Sequence, residues 1–511
     1  MTKIRNNIKY LIMFVLFVIL LLNIIFLFVS RWLEENVGLV SFDEIIFHLN
    51  VPVDGTDSNM VNDIILKCIV PSICIFIPIV ILLCKNYKIS ICFNVRLFSK
   101  RIQIGLRSIF RVLILVVANI VLLCINYTEL NQKFGISDYI KLQLNSSSFI
   151  EENYVDARKI NLTFPSEKRN LIYIFLESME STYIDVDNGG FQEINIIPEL
   201  TKLAYDNINF SNNDKIGGAS PMSGTGWTIG AMVAHSAGIP LKLPSGLQND
   251  FIGYDSFLPG VYNLGDILHD NGYTNVIMFG SDASFGGRKD YYSLHGNYII
   301  KDYYTAKEDG IIEKNYKAFW GMEDSYLFEY AKKELLDLSK DDKPFNLNLL
   351  TVNTHFPNGY LEDENYKMFG DNDYANSICF SSKQVNEFVD WIREQDFYDN
   401  TTIVIVGDHL TMAKNEILDG IERSDRKIYN VIINSKVTPH NTKNRCFTSL
   451  DMFPTTLASI GVKIEGDRLG LGTNLFSDKQ TLPEQYGRDF VSNELNAKSN
   501  FYDNNLLFGN N

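Results

Sequence analysis

The sequence predicts an α/β fold with a central, largely parallel sheet, set behind three N-terminal transmembrane helices. Two observations lead there. Three long apolar stretches crowd into residues 1–126, and beyond them short apolar runs rich in β-branched residues alternate with helical patterns. The chain has 511 residues, 46% of them apolar and 13% aromatic, a composition that excludes a disordered tail. Its 61 acidic and 46 basic side chains leave a net charge of −15. That balance excludes a nucleic-acid partner, which needs a basic stripe.

The apolar stretches come first. Tyr10 to Ser30 carries no charge, and residues 64–84 carry one lysine. A span needs about 20 apolar residues, and both qualify. The third stretch, 108–125, spans with Arg111 snorkelled to the interface. Loop charges orient them. Lys3, Arg5 and Lys9 precede the first span, and seven basic residues from Lys85 to Arg111 separate the second from the third, with no acid in either segment. Residues 31–63 between the first two are acidic, with Arg31 as the one arginine. The positive-inside rule then puts the N-terminus in the cytoplasm and everything after about residue 126 outside. The protein is expected to be a multi-pass membrane protein with its large C-terminal part extracytoplasmic. Of seven cysteines, only Cys379 and Cys446 fall in that outer part, so it must fold on its own core rather than on disulfides.

The outer region divides into a connecting segment at 127–165, a catalytic domain at 166–487 and a peripheral tail at 488–511. Strands are expected at Asn170–Leu176, Asn275–Phe279, Phe345–Val352, Thr402–Val406 and Tyr429–Asn434, with helical patterns at Met322–Leu338 and Cys379–Glu394. An open parallel sheet gathers its chemistry at the C-terminal strand ends. There the chain reads Glu177-Ser178, then Asn353-Thr354-His355, then Gly407-Asp408-His409. Carboxylate and imidazole donors converging on one rim suit a divalent cation such as zinc, manganese or magnesium. A nucleophile is also needed. Residues 217–240 are glycine-rich and then helical from Trp227 to Ala237, so a hydroxyl near that helix start sits in its positive field. Ser223, Thr225 and Thr228 are the candidates.

Several of these segments carry a family resemblance: NLIYIFLESMESTYID at 170–185, GTGWTIGAMVAHSAGIPL at 224–241, TVNTHFP at 351–357, IVGDH at 405–409 and RLGLGTNLFS at 468–477, with FDEIIFHLNVPVDG at 42–55. Together they resemble the phosphoglycerol transferase I and lipoteichoic acid synthase group, sulfatase-like members of the alkaline phosphatase superfamily. The LESMESTY and GTGWTIGAMVA stretches are most similar to the branch that decorates periplasmic glucans. The resemblance implies an alkaline phosphatase/sulfatase-like α/β sandwich and one divalent metal, manganese by preference. It implies metal ligation by Glu177, Thr225, Asp408 and His409, with Thr225 as catalytic nucleophile and Thr228 as second choice. It also implies substrate binding by His355 and Arg288. The implied reaction moves glycerophosphate from phosphatidylglycerol in the bilayer to a periplasmic or cell-surface glycan through a phospho-threonine intermediate.

The chain departs from the lipoteichoic acid synthases near Phe279 and Gly286, where they have a histidine and a tryptophan, and its anchor has three spans rather than five. Decoration of a glycan is therefore favoured over polymerisation. A phosphoethanolamine transferase is a further alternative, and a non-enzymatic envelope scaffold is the bland one. A sulfatase proper would need Cys or Ser followed by x-Pro-x-Arg, which the outer region lacks. The topology has a direct test: a reporter fused after Tyr127 is expected to be active only outside the cytoplasm, and one near Ser99 only inside. Reversed signals would remove the third span.

Overall fold

The computed structural model describes residues 2–38, 42–50, 58–84, 107–242 and 257–509. The basic segment 85–106 and residues 51–55 of the FDEIIFHLNVPVDG stretch lie outside them. The chain forms two compact units, Met1–Gly38 with Asp57–Ile136, and Leu39–Thr56 with Ser137–Asn511.

The first unit holds three helices long and apolar enough to cross a membrane, at Tyr10–Asn36, Met60–Cys84 and Phe110–Phe134. Each runs past the limits expected from the apolar run alone, because flanking polar residues continue the helix. Within this unit Asn23 Nδ2 donates to Asn119 Oδ1 at 3.1 Å, and Asn126 Nδ2 donates to the Asn23 carbonyl at 3.1 Å. Such buried amide bonds fix which helix faces meet where apolar contact alone does not discriminate.

The second unit is built on a seven-stranded sheet: β1 (Asn170–Leu176), β2 (Gly218–Ala219), β3 (Thr274–Phe279), β4 (Ile299–Lys301), β5 (Phe345–Leu350), β6 (Thr401–Gly407) and β7 (Ile428–Ile433). Their order is β2-β7-β6-β1-β5-β3-β4. The five strands from β6 to β4 run parallel, while β7 and β2 close one edge antiparallel. The five expected strands are present within one or two residues. β1 is apolar at nearly every position because helices cover both faces. Ile172, Ile174 and Leu176 point to the core formed with helices Pro198–Asp206, Asp324–Leu338 and Asp373–Arg393. Tyr173 and Phe175 point the other way, onto His235 of the Thr228–Ala237 helix.

The tail expected to be peripheral is packed instead. Val491, Leu495, Tyr502 and Leu507 are buried, and the Tyr502 hydroxyl donates to the Pro240 carbonyl at 2.8 Å. Its apolar residues are few but spaced to face one surface, which a composition reading passes over. Cys379 and Cys446 are both free thiols.

Strand register sets the geometry of the rim. Leu176 of β1 pairs with Gly407 of β6, so the next residues, Glu177 and Asp408, emerge side by side. Ser178 then adopts φ 53°, turning the chain sharply over the end of β6. Gly407 permits that crossing: a Cβ there would sit 1.8 Å from the Met179 carbonyl oxygen. Gly407→Ala is expected to cost at least about 1–3 kcal/mol by overpacking. A thermal melt of the full chain checks this, and an unchanged melting temperature would refute it.

Candidate functional site

Glu177, Asp408 and His409 are buried, and one ligand atom from each lies within 4.8 Å of the others. Asp408 divides its oxygens between two tasks. Its Oδ1 accepts the N–H groups of Ser178 and His409, both at 2.7 Å. Its Oδ2 is buried with no hydrogen-bond partner and stands 3.3 Å from His409 Nε2. Glu177 is held by its backbone, since its N–H donates to Thr351 Oγ1 at 2.9 Å and its carbonyl accepts from Thr354 Oγ1 at 2.5 Å. Ser178 Oγ donates to Glu177 Oε1 at 2.8 Å. His409 Nδ1 faces the Leu410 carbonyl at 2.9 Å. A carbonyl only accepts, so Nδ1 carries a proton and Nε2 is turned to the two carboxylates.

The electrostatics come from that crowding. Burial, and then the neighbouring Glu177, push Asp408 well above the usual carboxylate range. Burial resists charging His409, yet the carboxylates of Asp408 and Glu177 outweigh it and hold its pKa above the ordinary value. Two buried carboxylates with one uncompensated oxygen are costly unless a cation neutralises them. The donor set and the orphaned Asp408 Oδ2 fit a divalent cation.

The structure separates the two threonines. Thr228 is the first residue of the Thr228–Ala237 helix, and its Oγ1 stands 3.5 Å from both Glu177 Oε2 and His409 Nε2. Thr225 is turned inward. Its hydroxyl donates to the Met222 carbonyl at 3.0 Å and accepts the Met222 N–H at 3.3 Å, and the residue is fully buried. Thr225 thus closes the turn before the helix, and of the two threonines it is Thr228 whose hydroxyl stands beside Glu177 and His409. Ser223, the third candidate, donates to Asp43 Oδ2 at 3.2 Å.

His355 and Arg288 both come to this rim. His355 Nδ1 faces the Phe356 carbonyl at 3.0 Å, and its ring packs 4.5 Å from that of Trp320. Burial lowers its pKa, against the pull of Glu177. Arg288 Nη2 donates to Ser281 Oγ at 3.0 Å and the Asp282 carbonyl at 2.6 Å, and its guanidinium lies over Phe279 and Phe285. Its Nε is buried without a partner. Burial lowers the Arg288 pKa to about 10, so it stays charged at neutral pH. Ser281, Trp320 and the pinning residue Thr351 carry no signal in the sequence, and Thr354 shows there only as part of a strand-end triplet. All lie one to a few residues past strand ends or in loops, where no periodicity marks them.

The sulfatase family model matches residues 169–462, more than half of the chain and every residue of the carboxylate cluster. The chain belongs to the sulfatase family. Among curated sulfatase-fold relatives, phosphoglycerol transferase I of Xanthomonas campestris pv. campestris (strain B100) is 32% identical over 320 residues, covering 61% of this chain and 44% of that protein. Phosphoglycerol transferase I of Salmonella choleraesuis (strain SC-B67) is 31% identical over 332 residues, covering 63% of this chain and 41% of that one. The match therefore spans less than half the length of these relatives. The integral membrane protein lipooligosaccharide phosphoethanolamine transferase A from Neisseria meningitidis shares the fold, with a TM-score of 0.51 at 14% identity over 88% of this chain and 84% of that chain. Three helices long and apolar enough to cross a membrane precede this sulfatase-family domain in the sequence.

Metal binding at this cluster can be tested directly. Asp408→Asn is expected to weaken divalent-cation binding by about a hundredfold or more, at least the scale of losing an outer partner of a ligand. Metal content after dialysis, by mass spectrometry, reads it out. Full occupancy in the variant would dismiss this cluster as a metal centre.

Proposed function

We propose that the protein is a membrane-anchored phosphoglycerol transferase that moves glycerophosphate from phosphatidylglycerol to an envelope glycan, with Thr228 as the residue that carries the group. The observation that supports this reading is the Thr228 hydroxyl, which stands beside both Glu177 and His409 at a helix N-terminus. The similarity to phosphoglycerol transferase I supports the choice of group. Glycan decoration is kept over polymerisation, and the catalytic unit works outside the cytoplasm on a multi-pass anchor.

Glu177, Asp408, His409 and Thr228 would hold the divalent cation, with manganese preferred, which supplies positive charge to the phosphodiester and lowers the pKa of the adjoining hydroxyl. The chain's own residues do the rest. Thr228 Oγ1 forms the new bond to phosphorus, and the bond from phosphorus to the diacylglycerol oxygen breaks. The proton lost by Thr228 is matched by the one gained on the leaving oxygen, and His355 Nε2 is the group at the rim to deliver it. Arg288 and the free N–H groups of the first helical turn hold the phosphoryl oxygens. In the second step a glycan oxygen bonds to phosphorus while its proton passes to His355, the bond from phosphorus to Thr228 Oγ1 breaks, and a proton returned to that oxygen restores the threonine hydroxyl. The anchor suits a donor that cannot leave the bilayer.

Thr228→Ala is expected to lose at least about a thousandfold in diacylglycerol release from phosphatidylglycerol vesicles, the scale of removing a covalent nucleophile. Intact mass after incubation is expected to show one glycerophosphoryl group on the wild type and none on Thr228→Ala. Thr225→Ala is expected to keep the adduct while lowering stability. An adduct that persists in Thr228→Ala and vanishes in Thr225→Ala would return the role to Thr225.

A further inference from the structure

The FDEIIFHLN segment lies in sequence between two apolar helices, yet it belongs to the catalytic unit. Three contacts seat this Phe42–Asn50 helix. Phe42 meets Tyr139 edge-on at 5.1 Å, Phe47 packs at 5.0 Å on Trp227, and Asp43 Oδ2 accepts from Ser223 Oγ and the Gly224 N–H, both at 3.2 Å. Positions 43, 44 and 47 share one helical face, so the same seating buries Glu44.

Glu44 arrives beside the nucleophile's turn. A Cβ on Gly226 would lie 3.4 Å from Glu44 Oε2 and 3.6 Å from Arg423 Nη2. A carboxylate and a guanidinium therefore flank a residue with no side chain, two positions before Thr228. Arg423 is half-buried, and no hydrogen bond or ion pair engages it among the described residues. Five N–H donors in a rigid fork are left for a ligand. Glu44 also acts on His409, which puts it within electrostatic reach of the cation cluster.

We propose that Glu44, Arg423 and the gap at Gly226 form a subsite for a neutral, hydroxyl-rich group of the substrates, an inference that rests on the function proposed above. The chemistry selects this class. A buried carboxylate repels a phosphate, which Arg288 and the cation cluster already serve. An acceptor beside a donor fork instead matches neighbouring hydroxyls, each of which can donate to one and accept from the other. The glycerol end of the donor and the sugar of the acceptor both present such hydroxyls.

Saturation-transfer NMR on the full-length protein in a zwitterionic detergent, with glycerol and with a glucose oligosaccharide as probes, separates these sources. At least one polyol is expected to bind the wild type, with its Kd raised about tenfold in Glu44→Gln and in Arg423→Gln, the scale of losing a hydrogen bond to a charged group. The polyol that loses affinity names the source. Gly226→Ala fills the gap with a methyl at ordinary contact distance and is expected to weaken the same polyol without lowering the melting temperature. Absence of polyol binding by the wild type, or equal binding by wild type and all three variants, would overturn the subsite. Diacylglycerol release by the wild type is read separately: its failure with variant-sensitive polyol binding intact would sink the transferase reading and leave the subsite standing.

Discussion

Two carboxylates that repel each other are held side by side in the interior, and much of the site is arranged around that constraint. The in-register parallel pairing of β1 with β6 forces Glu177 and Asp408 to leave the sheet together. Nothing local favours this. The backbone compensates through Ser178 and His409, whose N–H groups saturate one oxygen of Asp408, and through Thr351 and Thr354, which fix the Glu177 backbone. What they leave is a single orphaned oxygen facing an imidazole. Sheet packing, spread over many buried Ile, Leu and Val residues, is what can sustain so local an electrostatic cost.

The same rim organises the proposed nucleophile. The Thr228–Ala237 helix packs on the Tyr173 and Phe175 face of β1, so its N-terminus opens where the carboxylates emerge. Thr228 at the first helical position therefore meets Glu177 and His409. Thr225, one turn earlier, meets only its own loop. That distinction was not legible in the sequence. Both residues are threonines beside glycines ahead of an apolar helix, and a shift of one helical boundary exchanges them. Tertiary placement settles which hydroxyl faces the rim.

Other features were legible for a physical reason. β1 and β6 are almost wholly apolar runs because they are covered on both sides, and β5 and β7 are apolar apart from the buried Asn346, Asn348 and Asn430. The ends of β1, β5 and β6 announce Glu177, His355 and Asp408-His409. The edge strands β2 and β4, two and three residues long, carry no such signal. The antiparallel sense of β7 was equally hidden, since a buried strand reads alike in either direction. Arg288 was placed by family resemblance, and only the structure shows its support: Ser281 and the rings of Phe279 and Phe285.

The charge distribution has a final consequence. The chain carries a net −15, yet the substrate proposed for it is a phosphodiester. A general positive field is therefore unavailable, and anion binding has to be local: the cation that Glu177, Asp408 and His409 fit, the helix N-terminus, and Arg288. Arg288 is partly dehydrated by two aromatic rings, which makes its charge count for more at short range and raises its need for a partner. Glu44, beside Gly226 just ahead of the helix start, works against a second phosphate. In the proposed reading, the difference in charge between Arg288 and Glu44 gives the substrate a direction, with the phosphoryl group toward Arg288 and the uncharged hydroxyls toward Glu44 and Arg423. A site that only concentrated positive charge would bind anions more tightly and would not orient them.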